Sequence, residues 1–250
     1  MIRSREGLQW IEPDWPAPAG VRAVSTLRHG GVSAKPFNTL NLAMHVGDDA
    51  NAVRENRRRL SQVLELPEDP CWLQQVHGTQ VIAAGSFQEP PIADASTTAD
   101  VGKVCVVMTA DCLPVLLCSR DADRVAAVHA GWRGLAAGVI ERTVSAMTVR
   151  PTQLLAWLGP GIGCQSFEVG DEVREAFLAR NAANASCFSL NHHQRWQADL
   201  SALARNELLQ LGVADIFIES ACTVIDASQF FSYRRDGQTG RMASMIWLQS

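Results

Sequence analysis

Two apolar runs constrain this chain more than anything else in it: "KVCVVMTADCLPVLLCS" (103–119) and "RVAAVHAG" (124–131). Both are rich in valine and continuous. A strand with one wet face alternates apolar and polar residues, whereas a continuous run expects cover on both faces. Each run is expected to form one strand, with packed material above and below. Inside the first run sit Thr109, Asp111 and Cys112, and Pro114 removes a ladder donor beside them. A carboxylate and a thiol in such a place need a reason.

The rest of the composition can build the required cover. Of 250 residues, 47% are hydrophobic and 19% charged, an ordinary globular balance. No linker or repeat divides the chain, so a single domain over 1–250 is expected. A formal charge of −4 argues against a nucleic-acid partner. The basic run "RENRRRL" reads as the solvated face of a helix. The N-terminus, "MIRSREGLQWIEPDWPAP", holds no apolar run long enough for a signal peptide or a membrane span. Seven cysteines, an odd number with no Cys-x-x-Cys, read as reduced thiols. The expectation is a cytoplasmic protein with no membrane association and no obligate protein partner. Neither lysine, Lys35 or Lys103, sits in a P-loop, so arginine must supply any grip on phosphate.

Helices are expected in "DDANAVRENRRRLSQVLEL", behind Asp48 or Asp49, and in "GLAAGVIERTVSAM", with Leu135, Val139, Thr143 and Met147 in register. "GDEVREAFLARN" gives a short helix, and "DLSALARNELLQLGV" one capped by Asp199 and closed by Gly212. "LLAWLGPGIG" reads as a strand ending in a glycine-rich turn, and "CWLQQVHGTQVIAA" as extended chain. "DIFIESACTVID" and "FFSYRRDGQTGRMASMIWL" read as strands, the latter folded about a turn near Asp236-Gly237. "EPDWPAPAG" and "FQEPPIADAS" read as surface loops. Strands and helices mix without strict alternation. This is α/β in the broad sense, α plus β with mixed sheets.

Three places set metal-capable side chains beside small residues at strand ends: His77 in "QQVHGTQV", Cys112 in "TADCLPV" and His129 in "VHAGWRG". Taken singly, each has a plain alternative: a hydrogen-bonded structural histidine or an inert buried cysteine. Together, two imidazoles and a thiolate suit one zinc ion and leave a fourth position for water or substrate. The same set can hold copper, with Met108 as a weak axial ligand. Cys112 and His129 can also be nucleophile and base, as in thiol hydrolases. Asp111 either orients a ligand, accepts a proton, or is a satisfied turn carboxylate. "GPGIG" is either a backbone anion cradle or a plain turn. Glu168 caps the following helix or reaches the site. Arg28, Asn38, Asn41, Arg234 and Arg235 are ligand contacts or loop-fixing hydrogen-bonders.

Seven segments in order, "RHGGVSAKPFNTLNLAMHVGDD", "ENRRRL", "QQVHGTQV", "TADCLPVLL", "HAGWRG", "GPGIGCQSFEVG" and "FFSYRRDGQTGRMASMIWL", resemble the YfiH-like family. Its members have long been labelled multicopper polyphenol oxidases or laccase-domain proteins. The resemblance implies a single-domain, four-layer α/β/β/α sandwich, shared distantly with a bacterial toxin of cysteine-hydrolase type. It implies one zinc ion on His77, Cys112 and His129. It also implies phosphorolysis of adenosine, inosine and methylthioadenosine, deamination of adenosine, and a link to editing of peptidoglycan precursors. Its partners would then be purine nucleosides and phosphate. Arg28, then Arg234 or Arg235, are the phosphate candidates, Asn41 the sugar or base candidate, and Asp111 or Glu168 the proton carriers. The oxidase label fits poorly, because six histidines include no His-x-His pair. The adjacent His192 and His193, if on a strand, would point to opposite faces. The His-x-Glu and Pro-Cys-x-x-Cys motifs of zinc nucleoside deaminases are absent as well.

Overall fold

The run over residues 103–119 is two strands in two different sheets, not one strand. The computed structural model describes residues 1–249. In chain order it begins with β1 (Ile2–Arg5), β2 (Leu8–Ile11), β3 (Val21–Thr26), α1 (Ala50–Leu64), β4 (Val81–Ala83) and β5 (Ala95–Thr98). The central apolar runs form β6 (Val104–Thr109), β7 (Leu113–Ser119) and β8 (Val125–Ala130), followed by α2 (Trp132–Ala137), α3 (Val139–Ala146) and β9 (Leu154–Leu158). Next come β10 (Glu168–Val169), α4 (Asp171–Arg180), β11 (Phe188–Leu190), β12 (Trp196–Ala198) and α5 (Leu200–Leu211). The chain closes with β13 (Asp215–Ile218), α6 (Tyr233–Asp236) and β14 (Met242–Leu248).

One sheet, in the order β1-β2-β3-β14-β6, is antiparallel throughout. A second, β13-β9-β7-β8-β5-β4, is mixed, with parallel pairs at both edges. A small third sheet joins β10, β12 and β11. The continuous apolar runs now have their reason. Every residue of β6, β7, β8, β9 and β14 is buried, because the two large sheets pack face to face. Cys105, Val107 and Ile246 of the first sheet meet Leu116, Ala127 and Trp157 of the second in one core. The outer face of the first sheet (Val106, Met108, Met245) packs on Leu60 and Val63 of α1. The outer face of the second (Val115, Val128, Ala156) packs on Val139, Phe177 and Leu203 of α3, α4 and α5. The layers run α/β/β/α, a mixed α+β architecture.

Local chemistry sets the helix limits. Asp49 caps α1 by accepting from the Asn51 N–H, and Asp199 caps α5 by accepting from the Ala202 N–H. Gly212 closes α5 in the left-handed region. The helix expected over "GLAAGVIERTVSAM" is broken in two at Gly138, whose φ of +92° no continuous helix permits. "SYRRD" is a single helical turn, α6, and not part of a strand. "IADAS" is not a surface loop: Ala93 and Asp94 are fully buried. His192 and His193 lie in an exposed turn between β11 and β12, with their rings 3.8 Å apart. Among the described residues no helix is long and apolar enough to cross a membrane.

Candidate metal centre and its cavity

The link between β6 and β7 is Ala110-Asp111-Cys112, where the chain leaves one sheet and enters the other. Asp111 makes that passage with φ at +95°, a region L-residues seldom adopt. Its carboxylate holds the turn: Oδ1 accepts from the Thr223 hydroxyl at 2.6 Å and Oδ2 from the Arg234 N–H at 2.7 Å. Cys112 is thereby delivered to the open end of the gap between the sheets. His129, next to last in β8, arrives there by register, paired across the ladder with Pro114. His77 comes from the loop before β4, also with positive φ (+60°).

The three donor atoms lie within 4.8 Å of one another, and Cys112 Sγ is 3.6 Å from His77 Nε2. Among the described residues this is the one group of three or more metal-capable side chains. Zn–S and Zn–N bonds of about 2.3 and 2.0–2.1 Å at tetrahedral angles place S and N about 3.6 Å apart. The donor set therefore fits a single zinc ion. Gly131 makes room for it: a Cβ there would stand 2.6 Å from His77 Cδ2 and 3.0 Å from Cys112 Sγ.

Asp94 holds this set together. It is fully buried, and its Oδ1 meets His129 Nδ1 at 2.8 Å and accepts from the His77 N–H at 2.9 Å. Oδ2 accepts from the N–H groups of Val76 (3.2 Å) and Gly78 (2.7 Å). One carboxylate thus orients the ring of one candidate donor and pins the backbone of another, leaving His129 Nε2 free to face Cys112. Burial works against the Asp94 charge, but the bonds from His129, Gly78 and Val76 outweigh it and keep the carboxyl below its ordinary range. Burial likewise opposes the Cys112 thiolate; the charge and hydrogen bonds of His129 and His77 overcome it and bring the thiol down to about 6. Against burial, the Cys112 thiolate and Asp94 raise His129 to about 9. Without metal the pair is a thiolate and an imidazolium. A metal ion bound there would take the place of the proton.

The centre opens into a cavity of about 490 Å³. Its walls include the aromatic rings of Trp132, Phe167 and Tyr233, the guanidinium groups of Arg133, Arg234 and Arg241, and the imidazole of His45. Of the residues singled out in the sequence, Met108, Thr109, Asp111 and Arg234 line it beside the three donors. Arg28, Asn41, Glu168 and Arg235 do not. Arg28 donates to the carbonyls of Asn38 and Ala227 and stacks 4.6 Å over Phe231. Asn41 is fully buried, its amide shared among Ala43, Asp48 and Arg241. Arg235 clasps the carbonyls of Thr223, Val224 and Phe230. Glu168 is exposed and accepts from Asn191. "GPGIG" is a structural turn: Gly159 donates to the Pro114 carbonyl, Ile162 to that of Asp111, and Gly163 to Cys222 Sγ. Sequence reasoning missed Asp94, Arg133, Arg241 and His45. Arg241 alone offered a hint, a charge directly before an apolar strand.

Residues 22–249 match the family described as "Multi-copper polyphenol oxidoreductase laccase". The chain belongs to this family. Other members carry a different name. A "Purine nucleoside phosphorylase YfiH" from Shigella flexneri is 53% identical over 239 residues, 95% of this chain and 98% of that protein. A Pseudomonas aeruginosa protein, also named purine nucleoside phosphorylase, is 53% identical over 241 residues, 96% of this chain and 98% of that one. A Neisseria meningitidis crystal structure superposes with a TM-score of 0.93 at 47% identity, covering 96% of this chain and 99% of its own. The laccase-family description speaks of several coppers, whereas the donors gathered here suffice for one ion.

Proposed function

We propose that the chain is a zinc-dependent purine nucleoside phosphorylase, acting on adenosine, inosine and methylthioadenosine, with adenosine deamination as a second activity of the same site. The observation that carries the reading is the convergence of His77, Cys112 and His129, from three separate segments, on the floor of a cavity walled by aromatic rings and guanidinium groups. The names of the relatives supply the reaction. His77, Cys112 and His129 would hold the zinc, which as a Lewis acid would polarise an oxygen of phosphate or ribose.

The chain's own side chains do the rest. Arg234 and Arg241 are anchored through Nη1 to backbone carbonyls, Ser166 and Glu168 for one, Thr239 and Gly240 for the other. Their remaining N–H groups would meet an anion in the cavity already oriented, which suits phosphate. Trp132, Phe167 and Tyr233 offer flat apolar surface to a purine. Asp111 has both oxygens committed, so its role is to position Cys112 and Arg234. Glu168 and Asn41 are given no part. Deamination is better served by a carboxylate free to move protons, and the only carboxylate lining the cavity among the described residues is the committed Asp111. Phosphorolysis is accordingly the main activity.

One observation favours a second reading. Cys112, His129 and Asp94 stand in the order nucleophile, base, orienter, as in a metal-free thiol hydrolase acting on an amide, such as a cell-wall precursor. His77, 3.6 Å from Cys112, has no task in that scheme and a clear one in the zinc scheme. Metal content by mass spectrometry, with adenosine turnover before and after chelation, decides between them. Equimolar zinc, and activity lost to the chelator and restored by zinc, is the expected result. Activity that survives chelation and dies on alkylation of Cys112 supports the hydrolase, and equimolar copper with phenol oxidation supports the family label.

A further inference from the structure

Phosphorolysis moves a proton as well as a sugar. An oxygen of hydrogen phosphate bonds to the anomeric carbon, and the C1′–N9 bond breaks with its electron pair staying on the purine. The phosphate must lose its proton and the departing base must gain one. Some group in the cavity has to accept the first and deliver the second.

The cavity walls narrow the choice. His77, Cys112 and His129 are the metal donors, Asp111 is bonded through both oxygens, and Arg133, Arg234 and Arg241 are permanent cations. Tyr233 stands 62% exposed at the rim. That leaves His45, which makes no hydrogen bond among the described residues. Its loop is held in place from both sides. Asn41 donates to Asp48 and to the Ala43 carbonyl, and Gln238 donates to the Val46 carbonyl. Packing around the ring, then the charges of Arg241 and Arg57, hold the imidazole below its ordinary range, so it rests neutral and able to accept.

Resting on the phosphorylase reading, we propose that His45 is the catalytic proton relay between phosphate and the leaving purine. The neutral imidazole takes the proton that hydrogen phosphate gives up, and the imidazolium hands one to a nitrogen of the departing base. The count of protons is unchanged over the cycle.

The test compares two nucleosides in phosphate buffer: inosine, whose base needs a proton to leave, and N7-methylinosine, whose imidazole ring already carries the charge. For His45→Gln and His45→Ala, kcat on inosine should fall roughly 10²–10⁴-fold, the usual worth of a positioned acid–base group. Zinc content should be unchanged, and N7-methylinosine, whose base needs no proton although the phosphate must still lose one, should be slowed markedly less than inosine. Equal slowing of both nucleosides, or of neither, overturns the relay while leaving phosphorolysis standing. A wild type that forms no ribose 1-phosphate overturns the phosphorylase reading, and the relay with it.

Discussion

Replacing Asp94 with asparagine probes the account at its narrowest point. The two side chains have the same shape, but one carboxylate oxygen becomes an NH₂ that cannot accept. Each oxygen now serves two donors: Oδ1 takes His129 Nδ1 and the His77 N–H, Oδ2 the N–H groups of Val76 and Gly78. Whichever way the amide turns, two bonds are lost and a buried donor faces other donors. Hydrogen bonds to a charged group contribute about 1.5–3 kcal/mol each, so the metal-free protein should lose about 3 kcal/mol or more. The zinc complex should weaken roughly 10–100-fold, the usual cost of removing an orienting partner from a ligand. Urea unfolding of the metal-free protein measures the first loss, and zinc competition with a chromophoric chelator the second. If Asp94→Asn binds zinc as tightly as wild type, Asp94 does not orient the centre and the assembly described above is wrong.

Four further outcomes are expected. Gly131→Ala should keep the fold, since φ is −67° there, yet lose zinc affinity by at least roughly tenfold because the new methyl group displaces His77 and Cys112; unchanged zinc binding would refute the close approach. In metal-free protein, Cys112 should react with iodoacetamide as a thiolate above a midpoint of about 6, read by peptide mapping; a midpoint near the ordinary value of about 8.5 would contradict the His129 pairing. Arg241→Met should raise KM for phosphate roughly tenfold with zinc content intact, as loss of one charge-assisted hydrogen bond implies, and an unchanged KM would remove Arg241 from the anion site. Because the Asp94 carboxyl is held low, its stabilisation should be complete above about pH 4 and fade as pH falls through its lowered folded value. Metal-free Asp94→Asn should lack that acid-side loss, and an identical pH profile in both proteins would contradict it.

How much of this was legible in the sequence follows from where the information sits. The caps at Asp49 and Asp199 are local: a side-chain oxygen satisfies an N–H two or three residues on, so helix starts could be read directly. The break between β6 and β7 could not. Both strands are covered on both faces, so neither has a period to lose, and a chain crossing between sheets looks the same as one strand continuing. Asp94 was hidden for a related reason. It follows two prolines and two apolar residues in a stretch that reads as a surface loop, and only the register of β5 against β8 sets it opposite His129. Arg28, Asn41, Arg235 and Glu168 stood out as polar residues among apolar ones, a property that ligand contacts share with residues fixing loops. Choosing between them requires knowing which side chains face the cavity. The candidate donors His77, Cys112 and His129 could be picked out because two imidazoles and a thiol beside small residues are rare together, and because seven motifs in order resemble one family.

The most direct measurement is the product formed from adenosine by wild type and Cys112→Ala, with and without phosphate. Ribose 1-phosphate and adenine in equal amounts, formed only with phosphate and lost together with zinc in the variant, is the predicted result. Inosine and ammonia formed at the same rate without phosphate, or full ribose 1-phosphate production by the zinc-free variant, would contradict the account.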